Sequence, residues 1–146
     1  MSGRRADTVM RFQVLGPLAA YTQQGPVALG PARQRTVLAA LLAEPGTAVS
    51  FEQLIDRVWG DAPPRRARET MHAYLSRLRT VLGGAGGPSL VRRARSYALD
   101  VPPEAVDLYR FRALARQARA ADDDHGAELW RQALALWRGA PLAELD

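Results

Sequence analysis

The chain has 146 residues and no cysteine, so it is long enough to bury a hydrophobic core but has no disulfides or thiolate metal ligands. Hydrophobic residues make up 47% of the sequence and charged residues 24%, which favours a globular protein over a disordered or membrane-embedded one. The formal net charge is +5, and every basic residue is an arginine, whose planar guanidinium suits phosphate groups and guanine edges. Because a GC-rich coding sequence yields the same composition, the positions of the arginines must decide whether they bind nucleic acid.

Residues 1–9 are predicted to be a disordered leader. Arg4 and Arg5 are not followed by the apolar segment of a targeting sequence, and no apolar run is long enough to span a bilayer. We therefore expect a cytoplasmic protein with no membrane partner.

A small antiparallel sheet and one helix are predicted next. Residues 11–15, 18–21 and 26–29 have short extended patterns. Pro31 suits a helix start, and Pro45-Gly46 ends that helix. Its apolar stripe consists of Val37, Leu38, Leu41 and Leu42.

Two more helices follow, separated by a rigid break. Ser50 and Gln53 have the spacing of a capping box, which predicts the start of a second helix over Phe51–Trp59. The sequence Gly-Asp-Ala-Pro-Pro at 60–64 cannot continue a helix. A third helix is predicted over 66–82. Its buried stripe is predicted to be Met71, Tyr74, Leu75, Leu78 and Leu82.

The opposite face of the third helix is polar and partly basic. At about 100° per residue, this face carries Arg66, Glu69, Thr70, Ala73, Ser76, Arg77 and Thr80. Arg68, His72 and Arg79 lie on a flank. An α-helix fits the major groove of DNA, where arginine can donate two hydrogen bonds to guanine and a small side chain such as Ala73 can touch a thymine methyl group. Ala73 and Arg77 are one helical turn apart.

A basic β-hairpin is predicted after the third helix. Residues 83–88 form a glycine-rich loop, and strands are expected at 90–93 and 96–99. The sequence Arg92-Arg93-Ala94-Arg95 brings three arginines to the tip, where they can cross the phosphate backbone or enter the minor groove. The alternative is that they decorate a solvated turn.

The pattern changes at Val101-Pro102-Pro103, after which only helices are predicted. We place a domain boundary there, with one domain at 10–102 and the beginning of an all-helical domain at 103–146. The first helical stripe consists of Leu108, Phe111, Leu114, Ala115 and Ala118. The second consists of Leu129, Trp130, Ala133, Leu134, Leu136 and Trp137. Because an antiparallel helix pair cannot bury both stripes, we expect further helices in the complete protein.

Several motifs together carry a family resemblance. They are Leu15-Gly16-Pro17-Leu18, Gly30-Pro31-Ala32-Arg33-Gln34-Arg35, Leu54-Ile55-Asp56-Arg57-Val58-Trp59-Gly60-Asp61-Ala62-Pro63-Pro64 and Tyr74-Leu75-Ser76-Arg77-Leu78-Arg79. In this order they resemble the Streptomyces antibiotic regulatory proteins, or SARPs. Val106-Asp107, Phe111 and residues 133–139 resemble the opening of that family's bacterial transcriptional activator domain. The resemblance covers nearly the whole chain after Met10.

The resemblance implies an α+β fold. It consists of an OmpR-type winged helix-turn-helix with an N-terminal antiparallel sheet and a C-terminal wing hairpin, followed by a tetratricopeptide-like helical segment. It also implies a transcriptional activator of a biosynthetic gene cluster, which binds direct repeats in double-stranded promoter DNA beside a second protomer. Such an activator recruits RNA polymerase holoenzyme with its sigma factor, and Asp61 and Arg65 are the candidate polymerase contacts.

Roles for single residues follow from motif position. Arg77 is the candidate base reader, Ala73 its apolar neighbour, and Tyr74 and Arg79 are candidate phosphate contacts. The helical pattern equally allows Tyr74 to pack at the buried edge, and Arg79 to pair with an acid. The full predicted DNA-binding set is Arg66, Thr70, Ala73, Tyr74, Ser76, Arg77, Arg79, Thr80, Arg92, Arg93 and Arg95.

The predicted wing departs from the family's turn. The family often has a Pro-Pro-Gly-Tyr-like sequence there, whereas this chain has Ala94-Arg95-Ser96-Tyr97. Loss of the glycine changes the permitted turn geometry. The added arginine can strengthen binding to a phosphate backbone.

Two other classes of function fit the sequence less well. An enzyme is disfavoured because His72 and His125 are far apart, the glycines at 83–87 do not form a P-loop, and the aspartates at 122–124 suit a helix cap. We predict no catalytic activity, no cofactor and no metal. A protein-interaction module without specific DNA binding fits the fold but leaves the basic third helix and wing unexplained. Salt dependence distinguishes DNA binding from protein interaction, because DNA affinity falls steeply with salt and an apolar protein interface responds weakly.

Overall fold

The N-terminal apolar segments form an antiparallel sheet in the computed structural model, which describes residues 10–141. Strands β1 (Arg11–Gln13), β2 (Ala19–Thr22) and β3 (Gly25–Pro26) are hydrogen-bonded in that order. This confirms the predicted sheet, although β3 is only two residues long and residues 27–29 are not part of it. The predicted leader, residues 1–9, lies outside the described residues.

Helix α1 (Ala32–Leu42) occupies the centre of the core. Its predicted stripe is buried throughout, at Val37, Leu38, Leu41 and Leu42. Gln34 is also buried, and its Nε2 atom donates a hydrogen bond to the carbonyl oxygen of Leu29 at 2.9 Å. Gly30 has a φ of 97°, and a Cβ atom there would lie 2.4 Å from Gln34 Nε2. The positive φ favours glycine at position 30, two residues before the helix, and any side chain there would also displace the buried amide of Gln34.

Helix α2 (Phe51–Trp59) begins at the predicted capping box. The backbone N–H of Gln53 donates to Ser50 Oγ at 3.0 Å, and the backbone N–H of Ser50 donates to Gln53 Oε1 at 3.0 Å. Two backbone donors at the helix start are thus satisfied. Leu54 and Val58 bury the inner face of α2.

Helix α3 (Ala67–Gly84) packs on α1 and α2 through the predicted stripe. Met71, Leu75, Leu78 and Leu82 are buried, and Tyr74 is half-buried at the edge of the core. The helix continues two residues beyond the predicted end, since the N–H of Ala85 still donates to the carbonyl of Val81 at 3.2 Å.

A second antiparallel sheet contains the predicted hairpin. Strands β5 (Ser89–Arg93) and β6 (Ser96–Asp100) pair with each other, and β4 (Val49–Ser50) pairs with the other edge of β6. The hairpin is confirmed. Strand β4 was not predicted, because two residues are too few to show an alternating pattern.

The predicted antiparallel helix pair follows a 3₁₀ turn at Pro103–Ala105. Helix α4 spans Asp107–Ala120 and α5 spans Asp123–Leu134. The second predicted helical stripe ran to Trp137, but α5 ends at Leu134, so residues 136 and 137 lie outside the helix. There the backbone N–H groups of Leu136 and Trp137 bond the carbonyls three residues earlier, which tightens the chain into turns. Trp137 meets Phe111 of α4 edge to face, with 5.3 Å between ring centroids.

One buried carboxylate ties α4 to the loop that follows β1. Asp107, the first residue of α4, is 5% exposed, and its oxygens accept hydrogen bonds from the backbone N–H groups of Val14 at 2.7 Å and Leu15 at 3.3 Å. Without Asp107, these two N–H groups would lack these bonds in the interior. The helical segment is therefore docked by a specific polar contact as well as by apolar packing.

The chain after α5 returns to the loop between β1 and β2, which contains Leu15 and Pro17. The backbone N–H of Arg138 donates to the carbonyl of Leu15 at 2.7 Å, and its Nη2 atom donates to the carbonyl of Pro17 at 2.7 Å. A Cβ atom on Gly16, whose φ is 136°, would lie 2.9 Å from Arg138 Cβ. Glycine at this position lets the two backbones approach. Among the helices of residues 10–141, none has the length and apolar character needed to cross a membrane.

Replacing Asp107 with alanine should lower the free energy of unfolding by roughly 2–4 kcal/mol, because two buried donors lose their acceptor. Chemical denaturation measures this change. Asp100→Ala removes an exposed carboxylate and serves as the control, with an expected change within about 0.5 kcal/mol. Equal stabilities of the two variants would contradict the role given to Asp107.

Candidate nucleic-acid interface

Burial of the apolar stripe turns the polar face of α3 outward. Arg66, Ser76, Arg77 and Thr80 are exposed, and Thr70 and Ala73 are half-buried. Along the exposed face, Ala73 and Arg77 are one turn apart, so a small side chain lies beside a long cationic one. The helix therefore presents the residue types that can contact base edges in a major groove.

Arg77 has an exposed side chain without a polar partner. Its guanidinium makes no hydrogen bond or ion pair with any residue of 10–141. Arg66 instead forms an exposed pair with Glu69, with 3.1 Å between Arg66 Nη2 and Glu69 Oε2. An exposed pair of this kind contributes at most about 1 kcal/mol, so DNA phosphate can replace it. Both guanidinium groups are available to an anionic partner.

Tyr74 and Arg79 are held by the fold. The Tyr74 ring lies 6.3 Å from that of Trp59, centroid to centroid, and it is half-buried against the core. Arg79 Nη2 donates to the carbonyl of Leu90 at 2.9 Å, so its bonding partner is a β5 carbonyl rather than an acid. Both side chains have a packing or bracing role, whatever else they contact. Phosphate contact by either stays a prediction.

The hairpin of β5 and β6 turns through only two residues, Ala94 and Arg95. Ala94 has a φ of 54°, the left-handed region that a type II′ turn requires at its first central position and that glycine prefers. Ser96 occupies the position at which the family has glycine, but the positive φ that favours glycine is at Ala94. Arg93 and Arg95 are exposed, and Arg92 Nε donates to the carbonyl of Ala94 at 3.3 Å. The tip is therefore tight and basic.

Phe51 joins the wing to both helices of the helix-turn-helix. Its backbone N–H donates to the carbonyl of Arg95 at 2.8 Å, and its buried ring lies 6.2 Å from that of Tyr97 in β6. From α3, the His72 ring stacks on Phe51 at 4.5 Å, and the Arg68 guanidinium carbon lies 4.8 Å from the ring centroid. The sequence marked Arg68 and His72 only as flanking residues. Their common partner could not be identified without the long-range fold.

The two candidate polymerase contacts lie in the connection between α2 and α3. Asp61 and Arg65 are both exposed there, and neither bonds another described residue. No group of three or more potential metal-ligating side chains occurs within residues 10–141.

The whole arrangement matches a known family. Residues 24–98 match the family described as "Transcriptional regulatory protein, C terminal", and these residues include the helix-turn-helix and most of the wing. The chain is 41% identical over 139 residues to the regulatory protein AfsR of Streptomyces coelicolor and 36% identical over 151 residues to the regulatory protein DnrI of Streptomyces peucetius. The chain belongs to the SARP family of transcriptional regulators.

The fold of a family relative agrees with this assignment. The structure of Mycobacterium tuberculosis EmbR in complex with a low-affinity phosphopeptide superposes with a TM-score of 0.83 at 35% identity. The alignment covers 93% of this chain and 38% of that one. The predicted OmpR-type winged helix is thereby confirmed.

The SARP relatives are longer than this chain. The matches cover 92% of this chain and 14% of AfsR, and 93% of this chain and 54% of DnrI. The similarity therefore concerns the winged helix and the first helices after it.

Ala94→Gly should raise the free energy of unfolding by about 0.5 kcal/mol. Relief of the left-handed backbone penalty, about 1–2 kcal/mol, exceeds the added chain entropy of glycine. Ala98→Gly makes the same chemical change inside β6, where it should instead lower stability by about 0.5–1 kcal/mol. Thermal unfolding of both variants measures the contrast, and a loss of stability in both would contradict the turn geometry.

Proposed function

We propose that this chain is the sequence-specific DNA-binding part of a transcriptional activator. The observation that carries the proposal is the outward face of α3, where Arg77 has no partner among the described residues and Ala73 lies one turn away. A guanidinium presented in this way can donate two hydrogen bonds to guanine O6 and N7. Family membership supports the same function.

In this proposal α3 lies in the major groove. Arg77 reads a guanine and Ala73 meets a thymine methyl group. Polar side chains around them, together with two at the edge of the face, contact the sugar-phosphate backbone; these are Arg66, Thr70, Ser76, Thr80, Tyr74 and Arg79. Backbone contacts fix the register of the helix, and base contacts supply specificity.

The wing supplies sequence-independent affinity. Arg92, Arg93 and Arg95 lie on a hairpin that the Phe51 contacts hold beside α3. A basic tip of this kind tracks the phosphate backbone or enters the adjacent minor groove, where the negative potential is strongest.

Activation requires contacts beyond DNA. We propose that two protomers bind direct repeats head to tail, and that Asp61 and Arg65 face RNA polymerase holoenzyme with its sigma factor. Residues 103–146 begin an all-helical activator domain, and residues 10–102 form the DNA-binding domain. The regulated genes form a biosynthetic cluster of the antibiotic type. Because the protein acts on promoter DNA, its proposed location is the cytoplasm.

Selection from a random duplex pool, followed by binding titrations at several salt concentrations, tests the function. We expect the selected duplexes to contain two repeats about 10–10.5 base pairs apart and to bind far more tightly than scrambled ones, with a steep salt slope. Failure to enrich any sequence, together with a flat salt slope, would favour a protein-interaction module instead.

Arg77→Ala should weaken binding to the selected duplex by about 1–3 kcal/mol and relax the preference at one base pair per repeat. The matched control is Arg116→Ala, which removes an exposed arginine from α4, outside the proposed interface. Equal losses on selected and scrambled duplexes would reject direct base reading by Arg77.

Replacing Arg92, Arg93 and Arg95 together with alanine should lower affinity for every duplex. Each lost phosphate contact should reduce the steepness of the plot of log affinity against log salt by about 0.9. Circular dichroism checks that the hairpin variant is folded. An unchanged slope would remove the wing from the DNA footprint.

A further inference from the structure

We infer that Arg68, together with Arg92 and Arg95, forms a binding site for one DNA backbone phosphate, and that Glu52 occupies this site electrostatically in the free protein. The inference rests on the proposed DNA-binding function and extends it. The site lies between the first turn of α3 and the wing, and it includes one arginine and one acid that the sequence did not single out as DNA contacts.

A single cleft brings these groups together. It has a volume of about 330 Å³ and is lined by Phe51, Glu52, Arg68, His72, Arg92, Arg95 and Tyr97. Three of the seven lining residues are arginines from two separate elements, and one is a carboxylate. The three arginines and Glu52 give the cleft a net charge of +2, and the cleft is open to solvent, so a phosphate on a DNA backbone can reach it. A phosphate group fits both its charge and its size.

The aromatic floor of the cleft keeps Arg68 at this position. Its guanidinium carbon lies 4.8 Å from the Phe51 ring centroid, an attraction that orders an otherwise mobile side chain. His72, one turn later on α3, stacks on the same ring. The backbone N–H of Phe51 donates to the carbonyl of Arg95, which connects the floor of the cleft to the wing. The arginine fork is therefore already oriented when a phosphate arrives, and little side-chain entropy is lost on binding.

Glu52 is the competitor. It pairs with Arg68 Nη1 while 71% of its side chain is exposed and 63% of that of Arg68 is exposed. A pair this exposed is weak, because water screens both charges. A DNA phosphate approaching the cleft would face repulsion from Glu52 and attraction from the arginines, so the carboxylate has to turn away into solvent. Glu52 can do so, since it is a surface residue on the first turn of α2.

Competition between Glu52 and phosphate predicts the direction in which DNA affinity changes when Glu52 is removed. If Glu52 only stabilised the fold, its removal would leave affinity unchanged or reduce it. If it competes with phosphate, its removal increases affinity for every duplex, because a backbone phosphate carries no sequence information.

The test uses the full chain with Glu52→Gln, Arg68→Gln and the double variant, titrated against the selected and a scrambled duplex at several salt concentrations. Glu52→Gln should bind both duplexes about two- to five-fold more tightly, a gain that matches the strength of an exposed pair. Arg68→Gln should bind both more weakly, with a salt slope shallower by about 0.9. In the Arg68→Gln background, Glu52→Gln should have a smaller effect, because Glu52 no longer competes for Arg68 and only its repulsion of the phosphate remains.

Two further variants complete the experiment. Glu128→Gln breaks the exposed Glu128–Arg131 pair on α5 and should leave DNA affinity unchanged. Arg68→Lys keeps the charge but loses the planar fork, so it should restore the salt slope and only part of the affinity, which separates a lost phosphate contact from a disturbed fold. If the wild type binds DNA and Arg68→Gln binds with the same affinity and salt slope, the phosphate site is overturned and the proposed function stands. Absence of duplex binding by the wild type would overturn both.

Discussion

The packing of α3 on the core determines which of its side chains face outward at the candidate interface. Met71, Leu75, Leu78 and Leu82 are at most 2% exposed, and burying each side chain stabilises the fold by about 1.5–3 kcal/mol. Rotating α3 by one residue about its axis would bring part of this stripe into water. The outward position of Ala73 and Arg77 is therefore a consequence of core packing and needs no interaction of its own. A chain that folds at all presents this face.

The wing is fixed to the same frame by contacts from three directions. Strand β4 pairs with β6, Phe51 packs on Tyr97, and Arg79 braces α3 against β5. The reading helix and the basic tip therefore form one surface of defined geometry, and binding loses little entropy in aligning them. The left-handed backbone at Ala94 shows that the tightness of the tip is maintained at some cost to stability.

Local signals in the sequence were sufficient for most of the fold. The capping box at Ser50, the helix-breaking Pro63-Pro64 and the period of the α3 stripe predicted helix limits to within about two residues, since each acts over one or two turns. What local signals could not provide were contacts between distant segments. Asp107 accepts hydrogen bonds from N–H groups 93 and 92 residues earlier, and although Val106-Asp107 belongs to a family motif, nothing in the local pattern shows that this carboxylate is buried or which groups it bonds. The contacts of Phe51 with Arg68 and His72, and the bond from Arg79 to Leu90, could not be predicted either, because they join separate elements of the fold.

The most direct test of the central claim is methylation interference at guanine N7 in the selected duplex. If α3 reads the major groove through Arg77, methylating one guanine per repeat should abolish tight binding by the wild type but add little to the loss already present in Arg77→Ala. Equal sensitivity of both proteins to that methylation, or no sensitivity in the wild type, would contradict the placement of Arg77 against a base.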